Sequence, residues 1–122
     1  MMNVVVIGAS DKADRYSYQA LKLLQEKGHE VFPVHQRIKA IDGTPVFASI
    51  KDVPGAIDTV TMYVVADISD ALTSDILGRN PKRIIFNPGA ENPKLAALAQ
   101  AKGIKIQEAC TLVMLRTGQF DK

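Results

Sequence analysis

VVVIGASDKADRYSYQALKLL, residues 4–24, carries the strongest structural signal in the chain. The stretch begins with a β-branched run, passes through Gly8, Ala9 and Ser10 into a polar loop, and ends in apolar residues at helical spacing. A continuous β-branched run is typical of a strand that is covered on both faces, as in a parallel sheet. The stretch therefore predicts a buried strand, a loop large enough to hold a ligand, and a helix with Ser17 as its N-cap.

The same alternation of strand and helix continues to the end of the chain, with glycine or proline after many of the predicted elements. It predicts an α/β fold: one Rossmann-like, doubly wound domain over residues 1–122, with a mainly parallel sheet of about five strands. Residues 36–45 hold the breakers Gly43 and Pro45 and are predicted to be an irregular loop on the ligand side. The predicted strands are 3–8, 29–34, 59–65, 84–86 and 104–106, and the predicted helices are 17–27, 49–53, 67–77, 93–103 and a short one within 110–120.

Composition and charge narrow the possible functions. The chain has 15 Lys and Arg against 13 Asp and Glu, a net charge of +2. This balance is too even for the basic field that nucleic-acid or membrane binding needs, so we expect neither partner. With one cysteine, Cys110, no leader pattern and no long apolar run, we expect a cytoplasmic protein. No catalytic triad, metal-ligand spacing or Walker loop can be placed, so we expect a binding protein rather than an enzyme.

The loop at residues 8–17 is the predicted phosphate site. It departs from the dinucleotide fingerprint G-x-G-x-x-G because Ser10 and Ala13 occupy the second and third glycine positions. Small residues still let backbone N–H groups approach an anion, and the start of the next helix favours negative charge. Arg15 and Ser17 add further donors. A plain strand-to-helix turn with a solvated Arg15 stays open as the alternative.

The loop after the second strand distinguishes between nucleotide ligands. A fold that binds NAD has a carboxylate here for the ribose 2′-hydroxyl. Residues 34–39 read VHQRIK, with the cations Arg37 and Lys39 and no acid. Arg and Lys form charge-assisted hydrogen bonds with phosphate, so the loop suits a ribose with an extra phosphate, as in NADP or coenzyme A. A solvated basic loop with a surface histidine, His35, is the other interpretation.

Five blocks of sequence resemble, in order, those of the stand-alone CoA-binding proteins: VVVIGAS-x4-RYSY, GHEVFPVHQR, IDGTPVFASI, FNPGAEN and EACTLVMLRTG. The fold of that family is similar to the CoA-binding domain of the succinyl-CoA synthetase alpha subunit. The resemblance spans about Val4 to Phe120 and implies that the chain binds coenzyme A or a short acyl-CoA without catalysing a reaction. Family members often have Asn-Pro-Lys or Asn-Pro-Arg where this chain has His35-Gln36-Arg37, so the basic position is kept and the proline is missing.

The resemblance also implies which residues contact the ligand. The implied contacts are Gly8, Ala9, Ser10, Arg15, Tyr16 and Ser17 for the pyrophosphate, Pro33, His35 and Arg37 for the adenosine and its 3′-phosphate, Tyr63 and Val64 for the adenine or the pantetheine arm, and Asn87, Pro88, Gly89 and Glu91 for the far wall of the site. Two of these residues have a second interpretation: Glu91 as a carboxylate that stabilises a nearby helix start, and Val64 as a plain core residue.

Three hypotheses for the function follow. The first is a module that binds, senses or buffers coenzyme A. The second is an NADP-binding subunit of an oxidoreductase whose catalytic part is another chain, and the third is an interaction domain with a decayed ligand site. Cys110 lies in the block that resembles the synthetase segment near the sulfur of CoA, which suggests a mixed disulfide or redox sensing, although a buried small residue is the favoured interpretation.

Overall fold

Five parallel strands form the central sheet of the computed structural model, which describes residues 1–121. Across the sheet the strands lie in the order Glu30–Val34, Asn3–Ile7, Thr59–Met62, Arg83–Phe86 and Lys105–Glu108, so the α/β prediction with a mainly parallel sheet is confirmed. The elements are β1 (Asn3–Ile7), α1 (Tyr16–Glu26), β2 (Glu30–Val34), β3 (Ala40–Ile41), β4 (Thr44–Pro45), a 3-10 turn (Ile50–Asp52), β5 (Thr59–Met62), α2 (Ala66–Gly78), β6 (Arg83–Phe86), α3 (Pro93–Ala101), β7 (Lys105–Glu108) and α4 (Thr111–Arg116).

The apolar run at the start of the chain is buried because helices cover both faces of the sheet. Alternate residues of a strand point to opposite faces. Val5 and Ile7 therefore belong to one core layer, which α2 and α3 cover, whereas Val4 and Val6 belong to the other, which α1 and α4 cover. A strand with no polar face needs this sandwiched position, as the sequence indicated.

The chain reverses direction across the sheet next to β1. After β1 it builds β2 on one side, and it returns to place β5 on the other side of β1. The chain leaves β1 for α1 on one face of the sheet and leaves β5 for α2 on the other face, so a crevice opens at the carboxyl edge above the two strand ends. Ligands of doubly wound sheets bind in such a crevice.

Two predicted boundaries are wrong for local reasons. The strand predicted to reach residue 65 ends at Met62, because Val65 is already the N-cap of α2. The first helix begins at Tyr16 with Arg15 at its N-cap, so Ser17 lies inside the first turn, where its side chain is buried. No side chain caps this helix. The N–H groups at its start are thus left for another acceptor.

Residues 36–45, predicted as irregular, contain a β-hairpin of β3 and β4. Its turn is Asp42-Gly43, with φ values of +47° and +82°. Positive φ at both central residues is typical of a type I′ hairpin, for which Asp-Gly is a preferred sequence. The hairpin is attached to α1, because the Tyr18 hydroxyl donates to Asp42 and Lys22 Nζ lies 3.1 Å from the Asp42 carboxylate.

The carboxyl-terminal segment contains α4, as predicted, and then returns to the amino edge of the sheet. Phe120 is buried there under the guanidinium of Arg83, which lies 4.5 Å from the ring centroid and also donates to the Phe120 carbonyl. This contact lies at the edge opposite the crevice. Within residues 1–121, no helix is long and apolar enough to cross a membrane.

Candidate functional site

Gly8 sets the geometry of the crevice because the loop after β1 passes very close to the end of β5. Its φ is +86°, and an added Cβ would lie 2.7 Å from Val64 Cγ1 and 3.2 Å from the Tyr63 carbonyl oxygen. Both the positive φ and the lack of space require glycine. The first glycine of the predicted phosphate loop is therefore needed to bring two loops together.

Two clefts adjoin at this point. The first cleft has a volume of about 810 Å³, and the second cleft has a volume of about 820 Å³. They share Gly8, His35, Val64 and Ile68, so one elongated ligand can extend through both. The first cleft is lined by residues 8–12, 14–17, 35, 38, 63–65 and 68, and the second cleft by residues 7–8, 34–37, 48–51, 64, 67–68, 71–72 and 75.

Most of the predicted ligand contacts lie in these clefts. Lys39 lines neither of them; its carbonyl instead accepts from the Val46 N–H inside the hairpin segment. The predicted contacts of the first cleft are Gly8, Ala9, Ser10, Arg15, Tyr16, Ser17, His35, Tyr63 and Val64, and Arg37 lines the second cleft together with the shared Gly8, His35 and Val64.

The donors of the first cleft come from the start of α1 rather than from the glycine turn. The N–H groups of Gly8 and Ala9 both donate to the Val34 carbonyl, at 3.2 Å each, and so hold the loop against β2. The first hydrogen bond that runs back to the helix N-cap comes from Gln19, at 3.1 Å to the Arg15 carbonyl. The three N–H groups before Gln19 therefore have no partner within the helix and can face an anion.

His35 forms the partition between the clefts and shapes the second loop. Its Nδ1 accepts from the Arg37 N–H at 3.0 Å and from the Ile38 N–H at 3.2 Å. A neutral imidazole that accepts through Nδ1 carries its proton on Nε2. The side chain thus fixes a turn in a loop that lacks the proline common in the family it resembles, and it keeps one donor free.

The aromatic wall of the first cleft is uncharged. Burial raises the pKa of the Tyr63 phenol to about 12, because the phenolate would lose its hydration. Val65 and Ile68 continue this wall and are 55% and 52% exposed, respectively. These side chains leave an apolar surface that a ligand can cover.

The predicted far wall lies outside both clefts, and its polar groups already have partners. Asn87 Nδ2 donates to Thr61 Oγ1 at 2.7 Å and to the Met62 carbonyl at 2.9 Å, while its Oδ1 accepts from the Thr111 N–H at 2.8 Å. Glu91 Oε1 accepts from the Gly89 N–H at 3.0 Å. These contacts fix β6 to its neighbours, and ligand binding by Asn87, Pro88, Gly89 and Glu91 stays a prediction.

Pro33 and Cys110 also lie outside the clefts. Pro33 is buried within β2, where its carbonyl accepts from the Phe47 N–H at 2.9 Å. Cys110 is partly exposed at the N-cap of α4. In the part of the chain that the structure describes, no group of three or more His, Cys, Asp or Glu side chains could hold a metal ion.

The second cleft contains charged residues that the sequence did not assign to the site. Lys51 lies in the 3-10 turn, and Asp67 and Asp75 lie on α2. No local pattern marks them, because they line the same cleft as Arg37 only once the sheet is assembled. The prediction of a short helix at residues 49–53 located the turn without relating it to the ligand.

Comparisons with known proteins agree with the observed fold and identify the family. The model of the family described as "CoA binding domain" matches residues 2–116. A solved structure described as an uncharacterized protein is 36% identical, with a TM-score of 0.93 over 98% of both chains. Uncharacterized protein YneT of Bacillus subtilis (strain 168) is 26% identical over 100 residues, covering 82% of this chain and 74% of YneT.

A much longer relative contains a similar segment. The ADP-forming acetate–CoA ligase II subunit alpha of Pyrococcus furiosus is 34% identical over 62 residues, covering 50% of this chain and 14% of that subunit. The resemblance noted in the five sequence blocks is confirmed. Because the family model covers almost the whole length, from residue 2 to residue 116, this chain belongs to the CoA binding domain family.

Proposed function

We propose that this protein binds coenzyme A, or a short acyl-CoA, through its phosphates and adenosine, as a binding or regulatory module without catalysis of its own. The observation that carries the proposal is the pair of adjoining clefts at the switch in strand order, in a chain of the CoA binding domain family. The first cleft offers the free N–H groups at the start of α1, and the second cleft offers the guanidinium of Arg37. Membership of this family favours CoA over NADP.

The pyrophosphate belongs in the first cleft. Asp11, Lys12, Asp14 and Arg15 line it, and their charges cancel. Attraction of an anion there depends on the directed N–H groups at the start of α1 and on the helix dipole, which favours negative charge at this end. Arg15, at the N-cap, supplies an exposed cation that completes the site.

The 3′-phosphate belongs at Arg37 in the second cleft. A planar guanidinium pairs well with phosphate oxygens and stays charged at every physiological pH. His35 lies between the two phosphate positions and offers its Nε2 proton to either of them. The exposed Val65 and Ile68 provide apolar cover for the adenine or the pantetheine arm.

The groups in the clefts support binding rather than catalysis. His35 uses Nδ1 to hold the loop, so this nitrogen is not available as a base without breaking two hydrogen bonds. Tyr63, whose pKa burial raises to about 12, is neutral near pH 7 and is a poor base. Both side chains therefore shape the clefts.

Calorimetry with CoA, dephospho-CoA, NADPH and NADH tests the proposal. We expect CoA to bind most tightly, with about tenfold loss on removal of the 3′-phosphate, the size of one charge-assisted contact of about 1.4 kcal/mol. Arg37→Gln should reduce that difference, whereas Arg116→Gln, an exposed arginine at the end of α4, should preserve it. Equal affinity for CoA and dephospho-CoA contradicts the role of Arg37, and tighter binding of NADPH contradicts CoA as the ligand.

A further inference from the structure

The second cleft contains charged residues of both signs. Arg37 lines it from the loop after β2 and Lys51 from the 3-10 turn, whereas Asp67 and Asp75 line it from α2. The two aspartates are eight residues apart on α2 and therefore share one helix face. Residues 1–121 form two ion pairs, Lys22–Asp42 and Lys94–Asp70, so none of the four charges of the cleft is neutralised by a salt bridge among the described residues.

Lys51 lies in a 3-10 turn whose backbone is held by hydrogen bonds and by core packing. Its own N–H donates to Ser49 Oγ at 3.1 Å, which caps the 3-10 turn. The neighbouring Ile50 is 3% exposed within the core, and the Arg79 guanidinium donates to the carbonyls of Ile50 and Gly55. The backbone of the turn is thus held from both sides, while the Lys51 side chain is exposed at the rim of the cleft.

A single guanidinium is a poor match for a phosphate monoester. Such a group carries a charge of about −1.5 to −2 near pH 7. The sequence suggested Lys39 as the second cation beside Arg37, but Lys39 lies outside both clefts. Lys51 lines the same cleft as Arg37 and brings the second positive charge.

We propose that Lys51 is a specificity-determining residue of this site: together with Arg37 it binds the 3′-phosphate of the ligand, against the repulsion of the aspartates on α2. The inference rests on the proposed CoA-binding function and deepens it. Asp67 and Asp75 line the same cleft, repel a phosphate and suit groups that donate hydrogen bonds. The phosphate therefore depends on both cations to be held in a cleft that also contains two carboxylates.

The ratio of the dissociation constants of dephospho-CoA and CoA, measured by calorimetry at one ionic strength, tests this inference. Lys51→Gln should lower the ratio roughly fivefold, the size of one solvent-exposed ion pair, and Lys51→Arg should restore it. Asp75→Asn should raise the ratio, because it removes a charge that repels the phosphate. Lys27→Gln, the same change at the exposed C-cap of α1 on the opposite edge, should leave it unchanged.

The opposite effects expected of Lys51→Gln and Asp75→Asn separate charge recognition from a structural effect. Partial unfolding lowers only the fraction of protein that can bind either ligand, so the ratio still reports on the folded molecules. If the parent protein distinguishes the two ligands but Lys51→Gln retains the parental ratio, the role of Lys51 is overturned while CoA binding stands. If the parent protein binds neither ligand, the proposed function fails, and the inference fails with it.

Discussion

Gly8 links the sequence signal to the site at the level of a single residue. It is the one glycine retained from the dinucleotide fingerprint in the first loop, and its role is steric. Its positive φ turns the chain out of β1, and its missing Cβ leaves room for Val64 of the neighbouring loop. Its N–H bonds to the Val34 carbonyl rather than to an anion. The glycine therefore positions the anion site without itself supplying the donor.

Gly8→Ala should destabilise the protein by about 2 to 4 kcal/mol, combining left-handed strain with overpacking against Val64. Gly103→Ala is the matched control, because Gly103 has a φ of +82° and no atom within 4 Å of an added Cβ. It should cost about 1 kcal/mol from strain alone. Urea denaturation of the two variants measures the free energy of unfolding that each one loses. Equal losses of stability would contradict the close approach of Gly8 to Val64.

At the scale of elements, the sequence predicted the strands and helices that are marked by a local sequence pattern. The β-branched run specified β1, and α3 was correctly placed because Pro93 occupies its first turn, after Asn92, whose side chain caps the helix. The hairpin was missed because two-residue strands have no periodicity to detect. Its Asp42-Gly43 turn was interpreted only as a break, and the contacts that hold it come from α1, a distant element.

Asp42→Asn should loosen the attachment of the hairpin to α1 while preserving its turn, since asparagine tolerates positive φ. The change removes the attraction of Lys22 and weakens the acceptor of the Tyr18 hydroxyl. We expect faster hydrogen exchange at the Val46 amide, which bonds to the Lys39 carbonyl, and unchanged exchange in β5. Asp52→Asn, an exposed position in the 3-10 turn, is the control. Unaltered exchange at Val46 would show that the contact with α1 does not hold the hairpin.

At the scale of the whole molecule, the site exists only because of the strand order. Placement of β5 beside β1 brings Val64 to Gly8 and opens the clefts, and no local pattern encodes that neighbour relation. The position of the first loop and of Arg37 at the clefts was predictable from loop chemistry and family resemblance, and their contacts with a ligand stay predictions. The position of Lys51 was not predictable, because Lys51 lines the second cleft from a separate turn. Asn87 was predicted as a wall residue, but its hydrogen bonds tie together β5, β6 and α4.

The central claim is that one ligand, coenzyme A, occupies both clefts at the switch in strand order. Nuclear magnetic resonance of nitrogen-15-labelled protein titrated with CoA tests this claim most directly, because each backbone amide reports on its own surroundings. The account predicts that the largest shifts occur together at the start of α1, from Tyr16 to Tyr18, and in the second loop at Arg37. Shifts concentrated at the opposite edge, around Arg83 and Phe120, or no shifts at saturating CoA, would contradict it.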